Sequence, residues 1–72
     1  MLTIEELRFK NGRMSQAELG EKLGVDQSQI SKWEANQLAM STKSIIKVAQ
    51  YFNVTTDELL GVEHNRNKEM VG

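Results

Sequence analysis

Residues 16 to 34 read Gln16-Ala17-Glu18-Leu19-Gly20-Glu21-Lys22-Leu23-Gly24-Val25-Asp26-Gln27-Ser28-Gln29-Ile30-Ser31-Lys32-Trp33-Glu34. They hold two short helical patterns separated by a glycine. Leu19 and Leu23 are four apart and share one helix face, while Ile30 and Trp33 are three apart and share another. Gly24 stands where the chain must turn sharply. Two helices cross closely only where small residues sit at the crossing, and Ala17 and Gly20 are read as that crossing. A glycine inside a helix otherwise costs about 1 kcal/mol relative to alanine. Leu19, Leu23, Val25, Ile30 and Trp33 then form one apolar cluster that fixes the angle between the helices.

With those residues inward, the outward face of the second helix carries Gln27, Ser28, Ser31 and Lys32. All four donate hydrogen bonds and none is acidic. Glutamine pairs bidentately with adenine, lysine reaches guanine, and serine bonds several base edges. A helix held out by a turn in this way is most often used to enter the major groove of DNA, its N-terminal residues deepest. The backbone amides near Ser15 and Gln16, at the start of the first helix of the pair, are expected to be free donors suited to a phosphate.

The rest of the chain extends the helical pattern. Thr3-x-x-Glu6 is a capping box opening a helix at about 4–10, which Asn11-Gly12 ends. Ser15-x-x-Glu18 opens the helix at 16–23. Asp26-x-x-Gln29 is read as a third box, opening 27–34. Ser41 or Thr42 caps a helix at about 42–52, with Ile45, Ile46, Ala49 and Phe52 at its apolar positions. Thr55-x-x-Glu58 caps a last short helix bearing Leu59 and Leu60, closed by Gly61. Caps and apolar periods coincide, and nothing alternates with period two. The expectation is an all-α, five-helix domain over 1–61 and a polar, frayed tail over 62–72.

Seventy-two residues make one small domain with a compact core. The chain has no cysteine, hence no disulfide and no thiolate metal site. His64 stands alone in the tail, so no metal site is expected, nor any cofactor or enzyme activity. The N-terminus has neither a basic start nor an apolar run, and no segment is long enough to cross a bilayer, so a cytoplasmic protein is expected. Nine basic against ten acidic residues give a net charge of −1. DNA readers are usually basic. The balance is uneven, however: over 27–47, Lys32, Lys43 and Lys47 face Glu34 alone.

Three blocks carry a resemblance. Residues 15–25, Ser-Gln-Ala-Glu-Leu-Gly-Glu-Lys-Leu-Gly-Val, resemble the S-Q-x-x-L-A-x-x-L-G-V pattern of the Cro/C1-type, lambda repressor-like helix-turn-helix family. Ile30-Ser31-Lys32-Trp33-Glu34 is similar to its I-S-x-[WY]-E, and residues 53–60 to its closing G-V-S-x-D-x-L-L. The resemblance covers about residues 4–60. It implies base reading by Gln27, Ser28, Ser31 and Lys32. It also implies phosphate contact or bracing by Gln16, Asn36, Gln37 and Lys43, with Gln16 bracing Gln27; Ser15 joins them through its place at the helix start. Arg8 and Glu34 match a structural ion pair. The sequence departs from the pattern at three places: Gly20 replaces the usual alanine, residues 35–40 lack the usual glycine, basic residue and proline, and one extra residue falls near Arg13.

The expected partners are double-stranded operator DNA and a second copy of the chain, in a phage or mobile-element switch. In length the chain is closer to Cro-type proteins than to full repressors. The competing reading is an antirepressor, similar to the modulator-of-repression proteins of some temperate phages, acting on a partner repressor. Its motive is the low charge, the tail and Leu38-Ala39-Met40. An antitoxin would share the fold.

Overall fold

Thr3, Ser15 and Thr55 each stand in extended backbone one residue ahead of a helix. Each hydroxyl accepts from the amide three residues on, and the glutamate there accepts from the cap's own amide. Two orphan donors at each helix start are thereby satisfied. The helices so opened are α1 (Ile4–Lys10), α2 (Gln16–Leu23) and α5 (Thr56–Leu60). Ser41 caps α4 (Thr42–Phe52) by accepting from the Ser44 amide. The structure, a computed structural model, describes residues 1–62.

The start of α3 (Gln27–Ala35) differs from expectation. Asp26 has cap-like backbone, but its carboxylate makes no capping hydrogen bond, so the third box is not formed. The Gln29 and Ile30 amides close onto the Asp26 carbonyl instead, at 3.0 and 3.3 Å. A short 3-10 turn, Gln37–Ala39, joins α3 to α4 and was not expected from the sequence.

The α2–α3 turn is built on two glycines. Gly24 has φ +75°, the left-handed conformation that side chains disfavour, and the Val25 amide donates to the Gly20 carbonyl at 2.8 Å. A Cβ on Gly20 would lie 2.6 Å from the Val25 carbonyl oxygen. The close approach therefore belongs to Gly20; Ala17 is exposed. In the α1–α2 turn, Arg13 itself is left-handed, with φ 57°.

Ile4, Leu19, Ile30, Val48 and Leu59 are wholly excluded from solvent. They come one from each helix, so all five helices share a single core. Full burial of one such side chain is worth roughly 1.5–3 kcal/mol. Trp33 is core, as expected. On α4 the buried stripe is Ile45, Val48, Ala49 and Phe52, whereas Ile46 is 42% exposed. At 100° per residue, position 46 falls off the stripe that 45, 48, 49 and 52 share.

Among the described residues no helix is long and apolar enough to cross a membrane. Of the expected tail, Val62 is exposed; His64 and the rest of 63–72 lie outside the described residues.

Candidate nucleic-acid interface

Gln27, Ser28, Ser31 and Lys32 are all exposed on one side of α3, opposite the buried Ile30 and Trp33. None of the four side chains makes a hydrogen bond or ion pair among the described residues. The face thus presents an ammonium, two hydroxyls and an amide, all free to bond elsewhere.

The other end of α3 is anchored. Arg8 Nε donates to Glu34 Oε2 at 2.7 Å and Nη2 donates to Oε1 at 3.1 Å. The remaining Arg8 nitrogen, Nη1, donates to the Met14 carbonyl at 2.8 Å. The two side chains are 12% and 15% exposed. This bidentate pair ties α1, the α1–α2 turn and the end of α3 together. The Glu34 hydrogen bonds push the guanidinium further toward its charged form.

Gln16 is half-buried, and its Nε2 donates to Glu34 Oε1 at 3.0 Å. The resemblance implied a brace to Gln27; the amide reaches the opposite end of α3 instead. At Ser15 the amide donates to Glu18 Oε1 at 2.8 Å and the hydroxyl accepts from the Glu18 amide. Ser15 is therefore not the free donor expected of it. The Glu18 carboxylate, held below the usual range by the Ser15 amide and then its hydroxyl, adds negative charge at that helix start.

Gln37 is displaced from its expected role. It is 6% exposed, and its amide is fully committed: Oε1 accepts from the Ile4 amide at 3.1 Å, while Nε2 donates to the Leu2 and Leu59 carbonyls at 2.8 and 2.9 Å. It joins the N-terminus, the 3-10 turn and α5, and cannot reach a phosphate. Asn36 is exposed and closes α3, its amide donating to the Lys32 carbonyl. Lys43 is exposed in the first turn of α4. Lys47 is committed elsewhere, donating to the Leu23 carbonyl at 3.1 Å and so closing the C-terminal end of α2. No local sequence signal marked either Gln37 or Lys47 for these bonds. A cleft of about 260 Å3 lies between the end of α3 and the start of α4. Lys32, Asn36, Ser41 and Ser44 line it, and no acidic side chain does.

The sequence model of the helix-turn-helix family matches residues 3–59, from the cap of α1 into α5. The chain belongs to this family, in its Cro/C1-type branch. It is 38% identical over 60 residues to the HTH-type transcriptional activator BcrR of Enterococcus faecalis, covering 83% of this chain and 29% of that protein. It is 32% identical over 65 residues to the HTH-type transcriptional regulator ImmR of Bacillus subtilis (strain 168), covering 90% and 50%. The chain thus spans half or less of the length of these relatives. No solved structure matches it.

Proposed function

We propose that this chain is a cytoplasmic transcription regulator that reads operator DNA with α3. Two copies place their α3 helices in half-sites one turn apart, in a phage or mobile-element switch. The observation that carries the reading is the outward face of α3, where Gln27, Ser28, Ser31 and Lys32 are exposed and uncommitted. Gln27 and Ser28, at the N-terminal end, lie deepest against the bases. Lys43, Asn36 and the polar cleft beside them approach the phosphates. Membership of a family whose relatives here are named as transcription regulators supports this reading.

The test is a mobility-shift titration on the DNA upstream of the gene. Gln27→Ala is expected to weaken specific binding by about 1–3 kcal/mol. Equal affinity of parent and variant would remove the base-reading assignment.

One observation favours a second reading, an antirepressor that covers a partner repressor. The 3-10 turn, where phosphate donors were expected, turns Gln37 inward and leaves Leu38 62% exposed. A stable one-to-one complex with the product of the neighbouring divergent gene, together with weak DNA binding by the chain alone, would support it.

A further inference from the structure

Among the described residues, four of the five α-helices begin with a side chain that caps them. The hydroxyls of Thr3, Ser15, Ser41 and Thr55 each accept from the amide three residues on. The start of α3 is the exception. The Gln29 amide, the donor a cap side chain would take, already donates to the Asp26 carbonyl at 3.0 Å, and the Ile30 amide joins it at 3.3 Å. The Asp26 carboxylate is left exposed, with no hydrogen bond or ion pair among the described residues. Its backbone, by contrast, is held. A Cβ on Gly20 would lie 3.4 Å from the Asp26 carbonyl carbon and 3.4 Å from the Gln27 nitrogen, so the start of α3 rests directly on α2. A fixed backbone thus presents a free carboxylate immediately ahead of Gln27.

An ionised carboxylate only accepts hydrogen bonds. Phosphates are acceptors of like charge, so contact with the DNA backbone is unfavourable for it. The donors that face the major groove are base amino groups, cytosine N4 and adenine N6, whereas guanine and thymine present acceptors there. We infer that Asp26 is a further base-reading residue, its carboxylate accepting from a cytosine or adenine amino group beside the base pair that Gln27 meets. Guanine or thymine at that position would set oxygen against oxygen, so Asp26 acts by rejection as much as by attraction. Gln27 carries both a donor and an acceptor and cannot discriminate in this way. The inference rests on the reading of DNA by α3 proposed above and adds to it a residue of the opposite hydrogen-bonding sense to Lys32.

The test selects duplexes from a randomised pool with the parent, Asp26→Ser and Gln27→Ala chains, then measures affinity on single-base variants of the selected site. The parent is expected to favour cytosine or adenine by about tenfold at one position beside the one that Gln27 governs. Asp26→Ser, whose hydroxyl can still cap α3, should lose that preference alone and keep the rest of the site. Deleting only the amino group, with purine for adenine or pyrimidin-2-one for cytosine, should weaken the parent by a similar factor and leave Asp26→Ser unaffected. Circular dichroism and Trp33 fluorescence check that each variant is folded. An Asp26→Ser chain that selects the parent's site overturns the inference. So does one that gains affinity equally on every duplex, the mark of a carboxylate that merely repels phosphates. If Gln27→Ala changes the selected site and Asp26→Ser does not, the inference falls and the α3 reading stands. If neither variant changes it, both fall.

Discussion

Gln27 and Gln37 carry the same side chain, and the fold uses them in opposite ways. Gln27 stands on the outward face of α3, exposed and without a side-chain partner among the described residues. Gln37 is buried in the seam where the N-terminus, the 3-10 turn and α5 meet, with donors and acceptor all used. On the seam, polar groups are satisfied internally and contribute to stability. On the α3 face they are left unsatisfied, available to whatever the helix meets. Recognition and stability are therefore expected to separate cleanly by position.

The sharpest test of that separation is Gln37→Leu. It keeps the bulk of the side chain and removes three hydrogen bonds, leaving the Ile4 amide and the Leu2 and Leu59 carbonyls without their partner. A net worth of about 0.5–1.5 kcal/mol per bond, and more where a buried partner stays unpaired, predicts a loss of roughly 2–4 kcal/mol. For a domain of this size the melting temperature should fall by about 10–20 °C. DNA affinity of the folded fraction should be unchanged. A variant that melts with the parent would show that the seam is held by its apolar contacts alone.

The Arg8–Glu34 pair joins the two regions, since it anchors the far end of the helix that carries the proposed reading face. Removing either partner strands the other in a largely buried site. Arg8→Ala and Glu34→Ala should each cost about 2–3 kcal/mol, somewhat below the range for fully buried pairs. A double-mutant cycle in urea denaturation should recover a coupling of roughly 1–3 kcal/mol. Additive losses would mean that the two side chains act separately. Glu34→Ala also frees Gln16, so it should weaken DNA binding more than Arg8→Ala at equal folded fraction.

Gln27→Ala is the mirror of Gln37→Leu. Its effect on stability should stay within about 0.5 kcal/mol, because an exposed, uncommitted side chain is lost. Its effect on DNA binding carries the 1–3 kcal/mol given above. If instead it destabilised the fold as much as Gln37→Leu, the contrast between the two glutamines would collapse.

The two regions also differ in how much of them the sequence discloses. The helices were legible because caps and apolar periods agree, as at Ser15-x-x-Glu18 ahead of Leu19 and Leu23. The outward face of α3 was legible for the same reason: placing Ile30 and Trp33 inward leaves Gln27, Ser28, Ser31 and Lys32 outside. Gln37 was not legible, since its partners lie 22 to 35 residues away and only the assembled fold brings them together. Asp26 shows the converse limit. The residue type and spacing suit a capping box, but its carboxylate makes no capping bond. Ile46 is apolar and adjoins the buried stripe in sequence, yet it lies off it and is exposed. The Arg8–Glu34 pair came from resemblance to a family, not from any local pattern, because α2 and its flanking turns separate the two residues.

The smallest expected effect concerns acid. Glu6, Glu18 and Glu58 each accept a hydrogen bond from a cap amide, Glu6 and Glu58 from the cap hydroxyl as well, and all three are held below the usual carboxylate range. A carboxyl whose folded value is depressed stabilises the fold above its unfolded value, near about 4.3. That contribution fades as the pH falls through the lower, folded value. All three groups are solvent-exposed, so the effect is modest and screened by salt. The triple variant Glu6→Gln, Glu18→Gln, Glu58→Gln keeps a side chain that can still reach the cap amide but removes the titration. Its thermal stability at neutral pH should lie slightly below the parent's. Its curve should also be flatter on the acid side, where the parent's three carboxylates take up protons. The charge lost at Glu18 stands beside the start of α2, where a phosphate would approach. The same variant should therefore bind DNA no more weakly than the parent at low salt. A parallel loss of DNA binding would place Glu18 on the recognition side of the comparison rather than the structural one.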